Sequence, residues 1–229
     1  MPAKNAPLTA LPAHAEAAPY AARRNPVRGR LNAGFFRSMD GYLNRIFGDV
    51  KPRLFRDLPE TVVEIGAGTG ANFRYFAPGT RVLAVEPNPF MHKNLCKAAA
   101  FYDIDLEILP RGAEATALPK DAVEAVISTL VLCTVPDPAA TIREVLRILR
   151  PGGRFLFLEH VAAPRGTATR RLQEIVHRPW SWCFEGCHTH RDTLAALQRG
   201  GFTKVEAEQY RARSPFLPVN PQIAGVATK

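Results

Sequence analysis

The chain has 229 residues, of which 46% are hydrophobic and 22% charged, and its formal net charge at pH 7 is +9. These values are typical of a globular protein with one large domain, and they exclude collagen-like, coiled-coil and wholly disordered chains. No run approaches the roughly 18 apolar residues that a membrane-spanning helix needs. Because four cysteines are too few for a disulfide scaffold, we expect a reducing, cytoplasmic compartment.

The positive charge lies at the two ends of the chain. Residues 1–37 contain six basic residues and one acidic residue, residues 161–229 contain ten and five, and the stretch between them is nearly neutral. Nucleic-acid enzymes usually carry positive charge along the working face, so we expect no specific nucleic-acid partner. Two alternatives stay open: a weak peripheral contact between the basic N-terminal arm and an acidic membrane surface, or charge that serves only solubility.

Residues 1–33 are predicted to form a mobile arm, because they are rich in alanine and proline and show no sustained hydrophobic period. We assign residues 34–229 to a single domain. Apolar residues three or four positions apart predict an amphipathic helix at 35–55, before the first strand.

Strands and helices alternate through the middle of the chain. Short β-branched or apolar runs predict five strands, at 61–65, 81–85, 106–109, 125–128 and 155–158. One helix is predicted to follow the turn after the first strand and to end at Tyr75, and two more are predicted at 88–101 and at 137–149. Asp137 can cap the last of these, and Pro151 stops it. This order predicts an α/β three-layer sandwich of parallel strands joined by right-handed crossovers.

The C-terminal third departs from this alternation. Residues 161–190 are rich in aromatics, and we predict that they form a lid or cap on the substrate side. A helix is predicted at 191–199, followed by strands at 203–209 and 222–227. These strands are predicted to pair as an antiparallel C-terminal edge of a mostly parallel, seven-stranded sheet.

A glycine-rich turn, EIGAGTGA at 64–71, follows the first predicted strand. Glycines in such a turn let the backbone approach a ligand closely, although they could also merely relieve a tight turn. Glu86 lies 20 positions after Gly66, at the end of the second strand, where a carboxylate can accept both hydroxyls of a ribose. These features fit a dinucleotide and S-adenosylmethionine equally well.

Two features favour S-adenosylmethionine. Glu64 would repel a pyrophosphate, whereas it could pair, directly or through water, with the α-ammonium of a methionine. The second feature is LRPGGR at 149–154. It resembles the LRPGG element of class I methyltransferases, in which a glycine motif, an acidic end of strand two, Ala-Glu-x-Leu-Pro and LRPGG recur in order. GAEATALP at 112–119 matches the third motif with two extra residues.

This resemblance implies a Rossmann-like class I methyltransferase fold with S-adenosylmethionine as the cofactor. The cofactor-binding residues that it implies, together with the residue reasoning above, are Glu64, Gly66, Ala67, Gly68, Gly70, Glu86, Pro87, Ala113, Glu114 and Thr129.

A closer resemblance rests on five runs in order: TGANF at 69–73, VEPNP at 85–89, TLVLC at 129–133, LEHVAA at 158–163, and Pro179-Trp180 followed by Phe184, Gly186, Cys187 and Arg191. Together they resemble the methyltransferase-like seven family of alkyl thiol methyltransferases, from about residue 36 to the C-terminus. The resemblance implies that small lipophilic thiols are the substrates and that activity depends on Glu86. The N-terminus here is polar and proline-rich, unlike that family's hydrophobic membrane-attaching segment, so membrane anchoring is not carried over.

Two histidines are candidates for orienting or deprotonating the acceptor. His160 ends the fifth strand, where open α/β sheets bind ligands, and His188 lies in the aromatic segment. Either could instead be a structural, hydrogen-bonded histidine. The run of Cys183, Cys187, His188 and His190 suggests zinc, but its spacing matches no usual pair of ligands, so we predict no metal.

The sequence therefore predicts a methyltransferase that acts on a small lipophilic acceptor, most simply a thiol. Relatives in the broader group methylate phosphatidylethanolamine or quinone precursors, so these acceptors are alternatives. A dinucleotide-dependent oxidoreductase is disfavoured by Glu64 and by the lack of a Tyr-x-x-x-Lys pair. A non-catalytic module that binds S-adenosylmethionine, or an RNA-binding methyltransferase paralogue, is suggested only by the basic ends. The oligomeric state stays open.

Overall fold

The protein is described by a computed structural model that covers residues 25–229. Most of the predicted arm therefore lies outside the described residues. The first element is helix α1 (Pro26–Phe47), whose N-cap Asn25 accepts a hydrogen bond from the Arg28 amide. Residues 26–33, predicted as part of the arm, are instead helical. A separate turn, α2 (Lys51–Leu54), follows, so the helix predicted at 35–55 is divided in two.

A seven-stranded sheet forms the centre of the molecule. Its strands are β1 (Thr61–Ile65), β2 (Arg81–Val85), β3 (Asp105–Leu109), β4 (Val123–Thr129), β5 (Leu149–His160), β6 (Lys204–Arg211) and β7 (Pro221–Thr228). Their order is β3-β2-β1-β4-β5-β7-β6, and β7 runs antiparallel to both of its neighbours while the other pairings are parallel. The mostly parallel sheet with an antiparallel C-terminal pair is confirmed, and β6 lies at the edge.

The strand order reverses between β1 and β4. The chain moves outward from β1 through β2 to β3, and it then returns to place β4 on the other side of β1. In an open α/β sheet such a reversal leaves a crevice beyond the carboxyl ends of the two central strands. This crevice is where we expect the ligand.

Helices α3 (Pro89–Tyr102) and α4 (Pro138–Ile148) cover opposite faces of the sheet. Helix α5 (Ala168–Cys183) packs against a 3-10 turn, Leu217–Val219, and α6 (Thr193–Gln198) packs against α4 and β6. The predicted cap is confirmed, since the side chain of Asp137 accepts a hydrogen bond from the Ala140 amide. The helix predicted after β1 is wrong: only a 3-10 turn, Phe73–Tyr75, forms there. Three glycines with positive φ extend the turn as far as Gly70, and Pro78 follows closely, so no room remains for a longer helix.

The core lies on both faces of the sheet, because successive residues of a strand point to opposite faces. Val63 and Ile65 belong to one buried cluster, whereas Val62 belongs to another. A third, smaller cluster joins Phe47 of α1 to Leu158 of β5. Helix α1 therefore packs against the carboxyl end of the sheet, beside the crevice.

None of the helices within residues 25–229 combines the length and the apolar character that a bilayer span requires.

Candidate active site

A cavity of about 260 Å³ opens at the carboxyl ends of β1 and β4. Its walls come from the glycine turn, the end of β2, the segment after β4, the end of β5 and helix α1. The segment from Trp180 to Cys187, at the end of α5, completes the wall. The cavity therefore occupies the crevice that the reversal of strand order creates.

The glycines of the turn have different roles. Gly66 and Gly68 both have positive φ, at 62° and 58°. A Cβ atom on Gly66 would lie 2.4 Å from the side chain of Val131, whereas a Cβ on Gly68 would meet nothing closer than 3.9 Å. Gly66 therefore allows the turn to pack against the segment after β4, and Gly68 leaves open space beside the cavity for a ligand.

Glu86 is held rigidly at the end of β2. Its two carboxylate oxygens accept hydrogen bonds from the amides of Gly68 and Asn88, both at 2.8 Å. Each oxygen keeps a further lone pair, so the carboxylate can still accept hydrogen bonds from two ligand hydroxyls. Burial raises the pKa of Glu86 to about 7.

Glu64 has one satisfied and one unsatisfied carboxylate oxygen. Its Oε1 accepts a hydrogen bond of 2.7 Å from Asn72 Nδ2, which also donates to Thr129 Oγ1 at 2.9 Å. Its Oε2 is buried without a partner among the described residues. Burial raises the pKa of Glu64 to about 7. A buried acceptor that lacks a donor suits a cationic group such as an α-ammonium.

Lys51 adds a buried cation to the same wall of the cavity. Its side chain lies over the rings of Phe47 and Tyr75, and burial lowers its pKa to about 8. It also interacts electrostatically with Glu64.

The opposite wall contains sulfur and aromatic groups. Cys187 Sγ lies 3.1 Å from His160 Nε2, 3.3 Å from Trp180 Nε1 and 3.7 Å from Cys133 Sγ. Hydrogen bonding with Cys133, His160 and Trp180, together with the charge of His160, holds the pKa of the Cys187 thiol well below its usual range. His160 Nε2 faces the Cys187 sulfur, whereas His160 Nδ1 is buried without a hydrogen-bond partner among the described residues.

Aromatic rings from three segments close this end of the cavity. The ring of Phe184 lies 4.6 Å from Trp180 and 5.4 Å from Phe35 of α1, and Phe35 also contacts Phe216. All four residues line the cavity. The wall suits an apolar ligand.

The comparisons with known proteins agree with this geometry. The family described as a methyltransferase domain matches residues 63–157. Thiol S-methyltransferase TMT1B of Rattus norvegicus is 33% identical over 202 residues, which cover 87% of this chain and 83% of the relative. Thiol S-methyltransferase TMT1A of Homo sapiens is 35% identical over 197 residues, which cover 81% of each chain.

The chain belongs to the TMT1 thiol S-methyltransferase family.

The protein is therefore a methyltransferase that uses S-adenosylmethionine. A solved S-adenosylmethionine-dependent methyltransferase from Thermotoga maritima has the same fold, with a TM-score of 0.64 and 18% identity. The match covers 88% of this chain and 97% of that chain. The cavity residues fit this cofactor, since the free Glu64 oxygen, the open space at Gly68 and the Glu86 carboxylate line one wall.

The structure brings most of the predicted site residues of this TMT1 family member together. Those that line the cavity are Glu64, Gly66, Ala67, Gly68, Glu86, Thr129 and His160.

The remaining predicted residues do not line the cavity. Gly70 packs against α3, where a Cβ would lie 2.7 Å from Ala98. Pro87 and Ala113 are buried, and Ala113 belongs to the hydrophobic core. Glu114 faces the N-cap of α4, where its carboxylate accepts a 3.5 Å hydrogen bond from the Asp137 amide. Each of these residues packs against or bonds to neighbouring protein groups, and the sequence motifs alone do not predict those contacts.

His188 is not brought to the cavity either. Its ring lies 4.7 Å from the ring of His177, at a separate surface depression that also includes Trp182. The sequence neighbours Cys183 and His190 likewise do not gather around Cys187: Cys183 is exposed, and the His190 ring lies 4.7 Å from that of His177.

Sequence reasoning missed Lys51, Asn72 and Cys133 as individual site residues. Asn72 and Cys133 lie within the TGANF and TLVLC runs, so those runs were the available signal. No sequence signal pointed to Lys51, because it lies in a region predicted as one continuous helix. In the structure it begins the separate turn α2 and lines the cavity.

Proposed function

We propose that this protein transfers the methyl group of S-adenosylmethionine to the sulfur of a small lipophilic thiol. The observation that carries the proposal is that the carboxylates suited to the cofactor and the sulfur-lined aromatic wall share one cavity. The relatives that match most of the chain are named as thiol S-methyltransferases, which supports the same acceptor.

The cofactor end of the cavity is organised by two carboxylates. Glu86 is aligned by the amides of Gly68 and Asn88 to accept the ribose hydroxyls. Glu64 is aligned by Asn72 and turns its unpartnered oxygen to the α-ammonium. Since both groups are fixed by hydrogen bonds before binding, little ordering is needed when the ligand enters.

The acceptor end provides orientation and excludes water. S-adenosylmethionine supplies an activated methyl group on a sulfonium, so the protein needs mainly to align a nucleophile with it. The aromatic wall of Phe35, Trp180, Phe184 and Phe216 holds an apolar chain and keeps bulk water out. A thiol with a pKa near 8.5 is already a few per cent thiolate at neutral pH and is intrinsically very nucleophilic.

The lining of the acceptor end favours a thiol over an ethanolamine headgroup, because it is made of aromatic rings and sulfur atoms. The charged groups elsewhere in the lining are engaged with other protein groups: Asp40 forms an ion pair with Arg74, and Glu185 lies 3.4 Å from the side-chain amide of Asn88. Lys51 is buried over two aromatic rings and interacts with Glu64. A quinone precursor fits the apolar wall and is the second acceptor to test.

The test is methyl transfer from labelled S-adenosylmethionine to a panel of acceptors. The panel contains a lipophilic thiol, the alcohol of the same carbon skeleton, an ethanolamine phospholipid, a quinol and bulk RNA. We expect turnover of the thiol and none of the alcohol. Turnover of the quinol or the phospholipid without the thiol would overturn the acceptor while leaving the methyltransferase assignment intact.

The cytoplasmic location and the weak membrane contact of the basic arm stay proposals. Four of the arm's five prolines and two of its four arginines lie within residues 1–24, which the structure does not describe. Co-sedimentation of the full chain with vesicles that contain acidic lipids, at low and high salt, would test the contact.

A further inference from the structure

We propose that Cys133, His160 and Cys187 form a zinc site that binds the acceptor thiol as its fourth ligand. The inference rests on the proposed function, because it assigns a means of activating the thiol to the sulfur-lined wall of the same cavity.

The three candidate ligand atoms are already close together. Cys187 Sγ lies 3.7 Å from Cys133 Sγ and 3.1 Å from His160 Nε2, and all three atoms lie within 4.8 Å of one another. Two thiolates bound to a tetrahedral zinc ion with bonds of about 2.3 Å lie about 3.8 Å apart. The sulfur pair therefore has the spacing of zinc ligands before any rearrangement.

Each ligand is delivered by a different element. Cys133 lies in the turn after β4, His160 ends β5, and Cys187 follows the turn that ends α5. The Ala162 amide, two residues after His160, donates to the Arg191 carbonyl at 3.0 Å. Three further hydrogen bonds join the Cys133 and Cys187 segments. The His188 amide donates to the Cys133 carbonyl at 2.8 Å, and Arg191 Nη1 donates to the carbonyls of Leu132 and Val135 at 2.6 and 2.9 Å. The cluster is therefore held by the fold rather than by chance proximity of flexible side chains.

The three side chains are strongly buried, with exposures of 1% for Cys133, 3% for His160 and 7% for Cys187. Among the described residues, these three are the one group of histidine, cysteine or acidic side chains whose ligand atoms lie close enough together to hold a metal ion. Thiolate and imidazole ligands suit zinc, whereas the oxygen ligands preferred by magnesium and calcium are absent from this group. The donor set thus points to zinc.

The surroundings fit a bound metal ion. Two thiolates balance the charge of Zn²⁺, and Arg191 interacts electrostatically with both cysteines. Trp180 Nε1 donates to Cys187 Sγ at 3.3 Å, which is the kind of outer hydrogen bond that orients a metal ligand. Both groups would stabilise the negative charge of zinc-bound thiolates.

A site with two cysteines, one histidine and an open position has the composition of catalytic zinc sites, whereas structural sites use four protein ligands. All three residues line the cavity, so the fourth position is accessible to a ligand bound there. A thiol that coordinates zinc loses its proton, which leaves the cavity to solvent. The carboxylates that hold the cofactor line the same cavity.

The reaction then balances without an oxidant or a reductant. The zinc-bound sulfur uses an electron pair to form a bond to the methyl carbon. The bond between that carbon and the sulfonium sulfur breaks, and its electron pair stays on the departing sulfur as a neutral thioether. The methylated product is also a neutral thioether, a weaker ligand than a thiolate, so it dissociates and reopens the fourth position.

The first experiment measures the zinc content of the full-length protein, purified with reductant, loaded with zinc and freed of excess metal. We expect about one zinc ion per chain in the wild type. The variants Cys133→Ser, His160→Asn and Cys187→Ser should each lose it. Cys96→Ser and Cys183→Ser are matched controls, because both cysteines are exposed and free, and they should keep it. S-adenosylmethionine binding and thermal unfolding show whether each variant is folded.

The second experiment replaces zinc by Co²⁺ and records the visible spectrum. We expect the charge-transfer and d–d bands of a tetrahedral thiolate site, and these bands should shift when the lipophilic thiol is added but not when its alcohol is added. The Cys96→Ser protein should give the same spectrum, whereas folded Cys187→Ser should not.

The outcomes separate this site from the proposed function. Wild type that binds no zinc, or folded Cys133→Ser and Cys187→Ser that keep it, would overturn the site. Metal-free protein that methylates the thiol at the full rate would overturn the role of zinc while the thiol function stands. Zinc bound to the three residues, with a spectrum that responds to thiol but no methylation of any thiol, would overturn the proposed function and leave the site standing.

Discussion

The amide of Gly68, in the turn after β1, donates a 2.8 Å hydrogen bond to the carboxylate of Glu86 at the end of β2. The bond joins the two motifs that we expect to recognise the cofactor, since the glycine predicted to give the ligand room also aligns the acid predicted to bind it. Disturbing either partner should therefore affect the binding of S-adenosylmethionine more than the fold.

Replacing Glu86 with alanine should weaken S-adenosylmethionine binding by about 1 to 3 kcal/mol, because the ribose hydroxyls lose their acceptor. This corresponds to a rise in Kd of about 5- to 150-fold, measured by titration calorimetry. Glu206→Ala is the control, since Glu206 is exposed and paired with Lys204 on β6. Unchanged affinity in folded Glu86→Ala would contradict the placement of the ribose.

The affinity for S-adenosylmethionine should fall as the pH falls through 7. Burial raises the pKa of both Glu64 and Glu86 to about 7, so both are ionised at pH 8 and largely protonated at pH 6. A protonated Glu64 cannot pair with the α-ammonium, so Kd should be higher at pH 6. In Glu64→Gln the affinity at pH 8 should be lower and its pH dependence shallower. Equal Kd values for the wild type at both pH values would contradict the ammonium contact.

Glu64→Gln should stabilise the ligand-free protein at pH 8. The pKa of Glu64 is raised from 4.5 to about 7 on folding, so the folded state binds the proton more tightly than the unfolded state. Its contribution to stability is fully present below pH 4.5 and is lost as the pH rises through 7. Removing the charge should raise the free energy of unfolding at pH 8 by about 1 to 2 kcal/mol, with a smaller change at pH 5. Denaturant unfolding at the two pH values measures this, and a loss of stability at pH 8 would contradict it.

Gly66→Ala and Gly68→Ala form a matched pair, since both positions have positive φ. The left-handed backbone costs each alanine about 1 to 2 kcal/mol. Gly66→Ala also clashes with Val131, so it should lose clearly more stability. Gly68→Ala has space in the ligand-free protein, but its Cβ lies where the ligand needs room, so its larger effect should be on Kd. Thermal unfolding measures the stability and calorimetry the Kd. A larger loss of stability in Gly68→Ala, with a larger rise in Kd in Gly66→Ala, would contradict the roles assigned to the two glycines.

Phe184→Ala should weaken the binding of long-chain thiols more than that of short ones. The ring closes the aromatic wall between Trp180 and Phe35, and each methylene that loses apolar contact costs up to about 0.8 kcal/mol. The KM for the acceptor, measured over a series of chain lengths, should therefore rise with length, while the Kd for S-adenosylmethionine stays the same. A uniform rise in both constants would indicate a general disturbance of the cavity.

The cofactor end of the site could be predicted from the sequence because its features are local. A β-branched run that stops at Gly66 indicates both the strand and the turn, and Glu86 ends the next such run. Parallel strands bring their carboxyl ends to one edge of the sheet, so the positions of Glu64, Glu86 and His160 followed from strand assignment alone. Local patterns overestimated the helix after β1, where the positive φ of three glycines prevails over the apolar residues that follow.

The acceptor end was decided by the tertiary structure. Cys187 meets His160 and Cys133, which lie 27 and 54 positions away, rather than Cys183, His188 and His190, its neighbours along the chain. These contacts depend on the lengths of the connections after β4 and β5 and on the turn that ends α5, and no periodicity in the sequence encodes them. The sequence by itself therefore determined the fold class and the cofactor, because repeated local geometry specifies both, whereas the chemistry facing the acceptor arises only when distant segments pack together.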